Sequence, residues 1–419
     1  MLHRFKKLDG FTRNIIIVFA GNSLANFINL LFQLLIAHKL SVTEFAGFNS
    51  LLSLFVLIST PFGTLQAPIA KYCAEFNAHD KPEKIGFLLR SFMRRTLVVT
   101  LLLFSVLLLV SGSIIRLLKI ESASSGYFLA MLVASACIIP VVTGGIQGLE
   151  FFGWMTCGSI ITGILKLTLA FLLLNFGYRT AGALGAFLAS NLLLIFIYYY
   201  GLRRYFSAKK AVEFNLKHVM DYLWPVAISY FCFYGLVTMD MLLVKYFYSA
   251  RDSGLYALAQ MVGKIFLFVP AAISMVMFPR ISGLNAKNMD TTATLKHSLS
   301  YAFVLCFGVT LVFNLFPELI LKILTGKVYP ESIFLGRLFS LSMSFFALIF
   351  IQLNYFLSLK DLRFVKYLAF FTAAQFLAIL FFHKYLFQVQ LALGVNAVIL
   401  FSIFFFLLSS KKQLLKERT

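Results

Sequence analysis

The sequence predicts an all-α integral membrane protein with about 12 transmembrane helices. Two observations support this prediction. Of the 419 residues, 60% are hydrophobic and 13% are charged, which is more apolar surface than a water-soluble domain of this length can bury. Apolar stretches of helix length also follow one another almost end to end, and a helix that crosses a bilayer needs about 20 apolar residues.

Twelve stretches meet this length requirement, and no segment between them is long enough to fold alone. The first is too long for the core of a signal peptide and has no evident cleavage site, so we interpret it as a retained helix. The last two are separated only at Phe382-His383-Lys384. In chain order the stretches are 14–37, 45–70, 92–115, 126–148, 154–176, 181–200, 221–247, 254–279, 297–317, 332–358, 363–382 and 388–409.

The net charge of +21 is typical of nucleic-acid binding, but the distribution of the basic residues indicates membrane topology instead. With the N-terminus inside, the inner segments carry 25 of the 37 Lys and Arg residues and the outer segments carry nine. This asymmetry is the positive-inside bias of multi-pass membrane proteins. We therefore expect both termini in the cytoplasm, membrane lipids with anionic headgroups as the counter-charge, and no nucleic-acid partner.

The two halves of the chain share a pattern that indicates an internal repeat. A glycine opens the second stretch of each half, at Gly47 and Gly254, and a proline follows 14 positions later at Pro61 and 16 positions later at Pro270. Six stretches per half make the halves parallel, which is one way in which transporters are built from repeats. We therefore predict an N-terminal six-helix lobe over 1–200, a cytoplasmic linker over 201–220 and a C-terminal six-helix lobe over 221–419.

Side-chain amides line one face of the first stretch. Their spacing of i, i+4, i+7 and i+11 confines them to about 60° of the helix circumference. Amides that face lipid are costly, so this face must meet protein or water. We interpret it as the wall of a hydrated cavity that bonds sugar hydroxyls; the alternative is amide bonding between helices, worth about 1 kcal/mol each. The four amides belong to Asn22, Asn26, Asn29 and Gln33.

Three basic residues fall inside the stretches. Lys166 lies near the middle of the fifth stretch, which contains no acidic residue. A buried lysine without a counter-charge either loses its proton or faces water or an anionic ligand, so Lys166 is the best candidate to contact a phosphate group. Arg337 lies close to the outer end of its stretch, where its side chain can extend to the interface. The third residue is Lys264.

Asp240 is the one acidic residue well inside a stretch, and it lies at a depth similar to that of Lys264, ~10–15 Å from the outer end. Gln260 shares a helix face with Lys264. An uncompensated charge near mid-membrane costs about 2.5–3.5 kcal/mol, so pairing or hydration is expected. Two interpretations stay open. One is a static salt bridge. The other is a site in which Lys264 and Gln260 bind an anionic substrate and Asp240 couples transport to a cation.

Motifs of several enzyme classes are missing from the sequence. It contains no GxxxxGK[ST], no Cys/His pattern with metal spacing and no HExxH, and no long loop carries an acid–base pair. We therefore expect a protein that is not an enzyme and that has no metal and no cofactor.

Several segments resemble bacterial polysaccharide flippases. Residues 35–48 (LIAHKLSVTEFAGF) and 68–75 (PIAKYCAE) resemble the first helical pair of that family, and residues 144–152 (GGIQGLEFF) resemble its turn between the fourth and fifth spans. The most recognisable part of its second half is similar to residues 240–245, 254–256 and 278–280. The family is the O-antigen and polysaccharide flippase branch of the multidrug/oligosaccharidyl-lipid/polysaccharide exporter superfamily.

The resemblance implies two six-helix lobes around a central cavity that opens alternately to each side of the inner membrane. It also implies a substrate, an undecaprenyl-diphosphate-linked oligosaccharide, that is turned from the cytoplasmic to the periplasmic leaflet. Cationic residues in such cavities meet the diphosphate, which would be the role of Lys166 and Lys264, with Asn22, Asn26, Asn29, Gln33, Gln260 and Arg337 as further substrate-binding candidates. Coupling to H⁺ or Na⁺ is usual in the superfamily, with Asp240 as the candidate here. Polysaccharide polymerase and chain-length proteins are candidate partners.

Two alternatives stay open. A cation-coupled multidrug exporter of the same fold would handle mostly cationic substrates, whereas the buried charges here are three basic and one acidic, which favours an anionic substrate. A non-transporting membrane enzyme or scaffold of a glycan-assembly complex is the other alternative. The lack of a catalytic loop argues against the enzyme, and the polar helix faces argue against a pure scaffold.

Overall fold

The computed structural model describes residues 10–206, 217–286 and 289–416. This part of the chain is built from α-helices joined by short connections. In chain order the helices are α1 (Gly10–Lys39), α2 (Val42–Gly63), α3 (Gln66–Ala78), α4 (Pro82–Leu117), α5 (Ser124–Gly148), α6 (Phe152–Asn175), α7 (Arg179–Phe206), α8 (Lys217–Phe247), α9 (Ala250–Phe266), α10 (Phe268–Ala286), α11 (Thr292–Leu315), α12 (Pro317–Thr325), α13 (Pro330–Ser358), α14 (Arg363–Phe381) and α15 (Leu386–Lys416).

The all-α membrane fold predicted from the sequence is confirmed. Within the described residues, ten helical segments are long and apolar enough to cross a membrane, and each coincides with one of the predicted stretches. The two predicted stretches outside this set are 14–37, which lies within α1, and 254–279. The division predicted around His383 is also present, since α14 ends at Phe381 and α15 begins at Leu386.

The stretch predicted at 254–279 is not one continuous helix. α9 ends at Phe266 and α10 begins at Phe268. Pro270 is the third residue of α10, and the first turn of a helix tolerates proline because its N–H needs no partner there. In the interior of a continuous helix the same ring would clash with a carbonyl four residues back. The predicted stretch is therefore interrupted by a break in the helix next to this proline.

The corresponding stretch of the first half is divided in the same way. α2 ends at Gly63, α3 begins at Gln66, and Pro68 is the third residue of α3. The break thus falls in the second stretch of each half, where the repeat was predicted. The proline that starts the second segment is Pro68, not the Pro61 that the sequence comparison matched with Pro270.

α12 is a short helix that the sequence analysis did not predict. Pro317 is its first residue, and Gly326, with φ of +68°, follows its last; proline at the start and glycine after the end are the usual boundaries of a helix. Nine residues extend about 13 Å, too short to cross a bilayer. Leu321 and Leu324 of α12 are buried in the protein.

The chain divides into two compact units. Unit 1 comprises Met1–Leu40 and Ile58–Trp224, and unit 2 comprises Ser41–Leu57 and Pro225–Thr419. The first part of α2 therefore groups with the second half of the sequence.

The lobe boundaries given for the two halves of the sequence, 1–200 and 221–419, stay a prediction. Of the predicted linker 201–220, residues up to 206 continue α7 and residues 217–220 begin α8. Residues 207–216 lie outside the described residues, as do the basic residues of the first nine positions.

Unit 1 has an apolar core between α3, α4, α5 and α7. Leu89 of α4, Ile146 of α5 and Leu202 of α7 are among its fully buried residues. Helix α5 approaches α3 closely because Gly148 has no side chain: a Cβ there would lie 2.3 Å from the carbonyl oxygen of Ala70. Helix α6 packs against α1 and α7, which positions the lysine described below.

Unit 2 is organised around α13. This helix packs against α9, α10, α11, α12 and α15. Its residues Leu348, Ile351 and Tyr355 form an apolar cluster with Met277 of α10 and Leu295 of α11. Because α13 contacts most of the unit, it fixes the rotation of α9, which carries the polar residues described next.

We expect the substitution Gly148→Ala to lower the stability of the folded protein by about 1–3 kcal/mol, because the added methyl overlaps backbone that cannot move freely. Gly112→Ala in α4 is the matched control, since a Cβ there has no atom within 4 Å and alanine favours the helix by about 0.5–1 kcal/mol. Thermal unfolding of the purified proteins in detergent measures both changes. Equal unfolding temperatures for the two variants would contradict the close approach of α5 and α3.

Candidate functional site

Lys166 is buried in unit 1 among neutral partners. Its side chain extends from α6 and is 8% exposed. The ammonium donates a hydrogen bond to the Oδ1 atom of Asn29 on α1. It also lies 4.8 Å from the ring centroid of Phe32 and 4.7 Å from that of Phe187. The positive charge is thus stabilised by an amide oxygen and two aromatic faces.

The close packing of α1 and α6 creates this arrangement. A Cβ at Gly163 would lie 3.2 Å from Ile28 of α1, so glycine lets the two helices approach one turn before Lys166. Only part of the predicted amide face of α1 contacts Lys166. Asn29 reaches Lys166, whereas Asn26 is exposed; the other two members, Asn22 and Gln33, are partly buried.

Lys264 has a similar partner in unit 2. It lies on α9 and donates a hydrogen bond of 2.6 Å to the Oδ1 atom of Asn49 on α2. Asn49 is 2% exposed, and its Nδ2 atom donates to the carbonyl oxygen of Phe45 at 3.0 Å. The sequence analysis did not single out Asn49, although an amide inside the predicted stretch 45–70 was a signal. Each unit thus contains a lysine bonded to an asparagine oxygen.

Asp240 lies on α8 and is fully buried. Its carboxylate accepts a hydrogen bond of 2.7 Å from the hydroxyl of Tyr256 and bonds of 3.2 Å from Nε2 of Gln260, both on α9. Nε2 of Gln390 on α15 in turn donates to the hydroxyl of Tyr256 at 2.9 Å. Because this hydroxyl accepts from Gln390, its single proton is directed to Asp240.

The direct salt bridge that the sequence allowed between Asp240 and Lys264 is not formed among the described residues. Asp240 is bonded to Tyr256 and Gln260, and Lys264 is bonded to Asn49. Tyr256, Gln260 and Lys264 share one face of α9 as predicted, but only the first two are level with Asp240. Lys264 lies one further turn along the helix, where Asn49 is within reach.

Unit 2 contains further polar bonds that the sequence analysis missed. The hydroxyl of Tyr230 donates to Asn354 at 2.8 Å. The amide of Asn396 donates to Gln375 at 2.9 Å, and Gln375 donates to the carbonyl oxygen of Leu236 at 2.7 Å. None of these amides continues a spacing pattern like that of α1, so the sequence analysis did not single them out.

Some buried amide atoms of unit 2 have no hydrogen-bond partner within the described residues. They include Oε1 of Gln260, Oε1 of Gln390 and both polar atoms of Gln352. An unpaired buried polar group costs about 1–3 kcal/mol and calls for an explanation. Two of these oxygens belong to the residues that connect to Asp240, so the surroundings of Asp240 offer oxygen atoms for a further donor or a cation.

Two other basic residues differ in their surroundings. Arg337 is exposed on α13, and within the described residues no hydrogen bond joins it to Asp240, Tyr256 or Gln260. Lys245, in the last turn of α8, was assigned to an outer segment, but it is 2% exposed. The last turn of α8 is therefore packed inside unit 2, which charge counting along the sequence does not reveal.

We expect Asn29→Leu to destabilise the protein by about 1–3 kcal/mol, because the ammonium of Lys166 loses its oxygen partner. Asn26→Leu is the matched control on the same helix face, and as an exposed change it should stay within about 0.5 kcal/mol. Combining Asn29→Leu with Lys166→Met should recover part of the loss, because the unpaired charge is then removed. Thermal unfolding measures all three variants. Strictly additive losses in the double variant would contradict the pairing.

Solved structures with a similar fold are membrane transporters. An inward-facing multidrug resistance MATE family transporter of the MOP superfamily aligns with a TM-score of 0.72 and 13% identity over 93% of this chain and 96% of that chain. A eukaryotic MATE transporter aligns at 0.67 and 14% identity, with 96% of each chain covered. The lipid II flippase MurJ, in an inward closed conformation, aligns at 0.66 and 14% identity over 94% and 87%. These likenesses confirm the predicted transporter fold.

The sequence itself matches one family model. Residues 11–285, well over half of the chain, match the family described as polysaccharide biosynthesis protein. No curated protein sequence matches the chain. The family match confirms the resemblance that the sequence segments indicated. The chain belongs to the polysaccharide biosynthesis protein family.

Proposed function

We propose that the protein is a flippase. It translocates an undecaprenyl-diphosphate-linked oligosaccharide, an O-antigen or other surface polysaccharide repeat unit, across the bacterial inner membrane by alternating access. The observation that carries this proposal is that each unit contains a lysine whose hydrogen-bond partner is an asparagine and not a carboxylate. Family membership supports the glycan as cargo.

The two lysines suit a diphosphate because their charge is not neutralised by their partners. A carboxylate beside Lys166 or Lys264 would cancel the positive charge and compete with an anionic ligand. An amide oxygen carries only a partial charge, so a phosphate oxygen forms the stronger, charge-assisted bond with the same ammonium. Holding a bare charge inside a membrane protein is costly, which is why such residues mark ligand or ion pathways.

The glycan requires groups that both donate and accept hydrogen bonds. Side-chain amides do both, as hydroxyl groups do, so we assign the sugar contacts to Asn22, Asn26 and Gln33 of α1. Asn29 becomes available to the glycan when Lys166 turns to a phosphate. Gln260 and Arg337 stay in the proposed substrate set, and the bond from Gln260 to Asp240 connects the substrate residues to the residues proposed for coupling.

We assign the coupling of transport to a proton or Na⁺ to Asp240. Its carboxylate is fully buried and accepts hydrogen bonds from the neutral side chains of Tyr256 and Gln260. Unpaired oxygens on Gln260 and Gln390 would supply further ligands, and oxygen is the ligand type that hard cations prefer. The residues present therefore fit either ion.

A cation-coupled multidrug exporter of the same fold is the second candidate. The observation that favours it is Asp240 beside Tyr256, whose ring packs edge-on against Phe339 at 5.0 Å, since acidic and aromatic groups suit cationic drugs. Lys166 and Lys264 argue against it, because two buried ammonium groups that form no direct ion pair repel a cationic substrate. The experiment below distinguishes the two functions.

The proposed function also includes a location and a topology in the membrane. We place it in the inner membrane as a multi-pass protein with both termini in the cytoplasm, since most of its basic residues belong to the inner segments. Polysaccharide polymerase and chain-length proteins are the proposed partners, because the exported repeat unit is the material that such proteins join.

Cells that lack the protein should accumulate one completed repeat unit on undecaprenyl diphosphate, measured by mass spectrometry of their lipid extract. Wild-type protein and Lys384→Gln, which changes an exposed lysine, should clear the intermediate. Lys166→Gln and Lys264→Gln should each clear it at least about tenfold more slowly, because a bond to a charged group contributes about 1.5–3 kcal/mol.

Two outcomes would contradict this proposal. If the deletion leaves the lipid-linked glycans and the surface glycans unchanged but abolishes efflux of a cationic dye, the multidrug exporter is the better description. If both lysine variants clear the intermediate at the wild-type rate while expressed at the wild-type level, the lysines do not contact the diphosphate.

Asp240→Asn should abolish the dependence of transport on an imposed pH or Na⁺ gradient, because the amide keeps a side chain of the same shape and cannot take a proton or bind a cation strongly. Proteoliposomes loaded with lipid-linked glycan from the deletion strain measure the gradient dependence. Glu318→Gln, an exposed carboxylate on α12, is the control and should transport as wild type. Unchanged gradient dependence in Asp240→Asn would remove Asp240 from coupling.

A further inference from the structure

An apolar groove lies within unit 1, between α1 and α6. Its volume is about 720 Å³, which lies in the range of sites that hold small ligands. Both helices contribute apolar side chains to it. They are Leu31, Leu34 and Leu35 of α1 and Leu167, Phe171 and Leu172 of α6.

The groove lies on the side of α1 that faces away from the amide face. At 100° per residue, the groove residues of α1 lie about 120–220° around the helix from Asn22. On α6, likewise, the groove residues point away from Lys166, at about 100–240°. The groove is therefore separate from the residues proposed to bind the glycan and diphosphate.

A lysine stands at the rim of the groove. The ammonium of Lys39 donates a hydrogen bond of 2.8 Å to Oδ1 of Asn175 and lies 5.5 Å from the ring centroid of Phe171, which lines the groove. His38, another lining residue, is exposed, and its Nδ1 atom bonds the carbonyl oxygen of Leu34 at 2.8 Å. The ammonium of Lys39 therefore places a positive charge at the rim of the apolar groove.

A second groove differs in its lining residues. It lies between α13 and α15 in unit 2, has a volume of about 420 Å³ and includes Gln390 among its lining residues. None of its lining residues is a lysine, arginine or histidine. An apolar groove alone would accept any hydrocarbon chain, whereas the groove between α1 and α6 adds charge complementarity to an anion.

We propose that the groove between α1 and α6 binds an anionic phospholipid, with one acyl chain along the leucines and the phosphate on the ammonium of Lys39. With the N-terminus inside, Lys39 lies at the outer leaflet. Within unit 1, a transported lipid would keep its phosphates near Lys166, so a lipid on the opposite face of α1 is a resident one. This lipid covers the exposed side chains of Phe171 and Leu172, each 48% exposed.

Native mass spectrometry of the full chain tests this proposal. The detergent-solubilised protein is mixed with equal amounts of phosphatidylglycerol and phosphatidylcholine that carry the same acyl chains. We expect about a fivefold preference for phosphatidylglycerol, because one lysine near the surface contributes on that order. Lys39→Gln should remove the preference and Lys39→Arg should keep it. Lys322→Gln, an exposed lysine away from the grooves, should match wild type.

A second pair of variants tests the acyl-chain part of the site. Thr168→Trp fills the groove, since Thr168 lines it, and should reduce retention of both lipids. Ile161→Trp changes a lipid-exposed residue of the same helix that does not line the groove and should leave retention unchanged. Glycerol phosphate, which has the head and no chain, should not displace phosphatidylglycerol.

Several results would overturn the proposal. They are an unchanged preference in Lys39→Gln, an equal loss in Lys322→Gln, unchanged retention in Thr168→Trp, and displacement by glycerol phosphate. Displacement by undecaprenyl phosphate at stoichiometric amounts would assign the groove to a polyprenyl chain instead of a phospholipid. None of these measurements depends on transport, so the proposed flippase function can fail or hold independently.

Discussion

Burying an ammonium group within a membrane protein demands compensation, and the nature of the compensation governs much of this structure. Lys166 and Lys264 each donate to an asparagine oxygen, which satisfies a hydrogen bond while leaving most of the charge uncompensated. This choice constrains the packing around each lysine. Two aromatic rings must lie against Lys166, and Asn49 of α2 must belong to the same unit as α9. Electrostatics therefore explains features of the helix packing that hydrophobicity alone does not require.

The acidic residue is also bonded to neutral side chains, with donors in place of an acceptor. The neutral donors around Asp240 are themselves held by hydrogen bonds. The hydroxyl of Tyr256 accepts a bond from Gln390 and donates one to the carboxylate. A chain of hydrogen bonds polarises its members and is stronger in a medium of low dielectric constant. Separating the acid from Lys264 keeps both charges available to ligands. A direct ion pair would have tied two helices together and neutralised both groups at once.

The sequence was sufficient for the long apolar helices, because hydropathy is a property of single segments. The sequence was insufficient to identify which side chains form hydrogen bonds with one another. Depth alone allowed Lys264 to meet Asp240, but rotation and one helical turn bring it to Asn49, and rotation depends on contacts between distant segments. The break next to Pro270 could not be located from the sequence because apolar composition continues through it. Gln390 shares its stretch with other amides, and only its hydrogen bond to the hydroxyl of Tyr256 connects it to Asp240.

α12 has a consequence for how the protein sits in its lipid. Viewed down its axis, it has three faces: Lys322 on one, the more than half-exposed Leu319 and Ile323 on the next, and the buried Leu321 and Leu324 on the third. Water, hydrocarbon and protein meet together only at the boundary of a bilayer. A shift of unit 2 along the bilayer normal would bury Lys322 in hydrocarbon or expose Leu319 and Ile323 to water. We therefore expect α12 to favour one position of unit 2 along the bilayer normal.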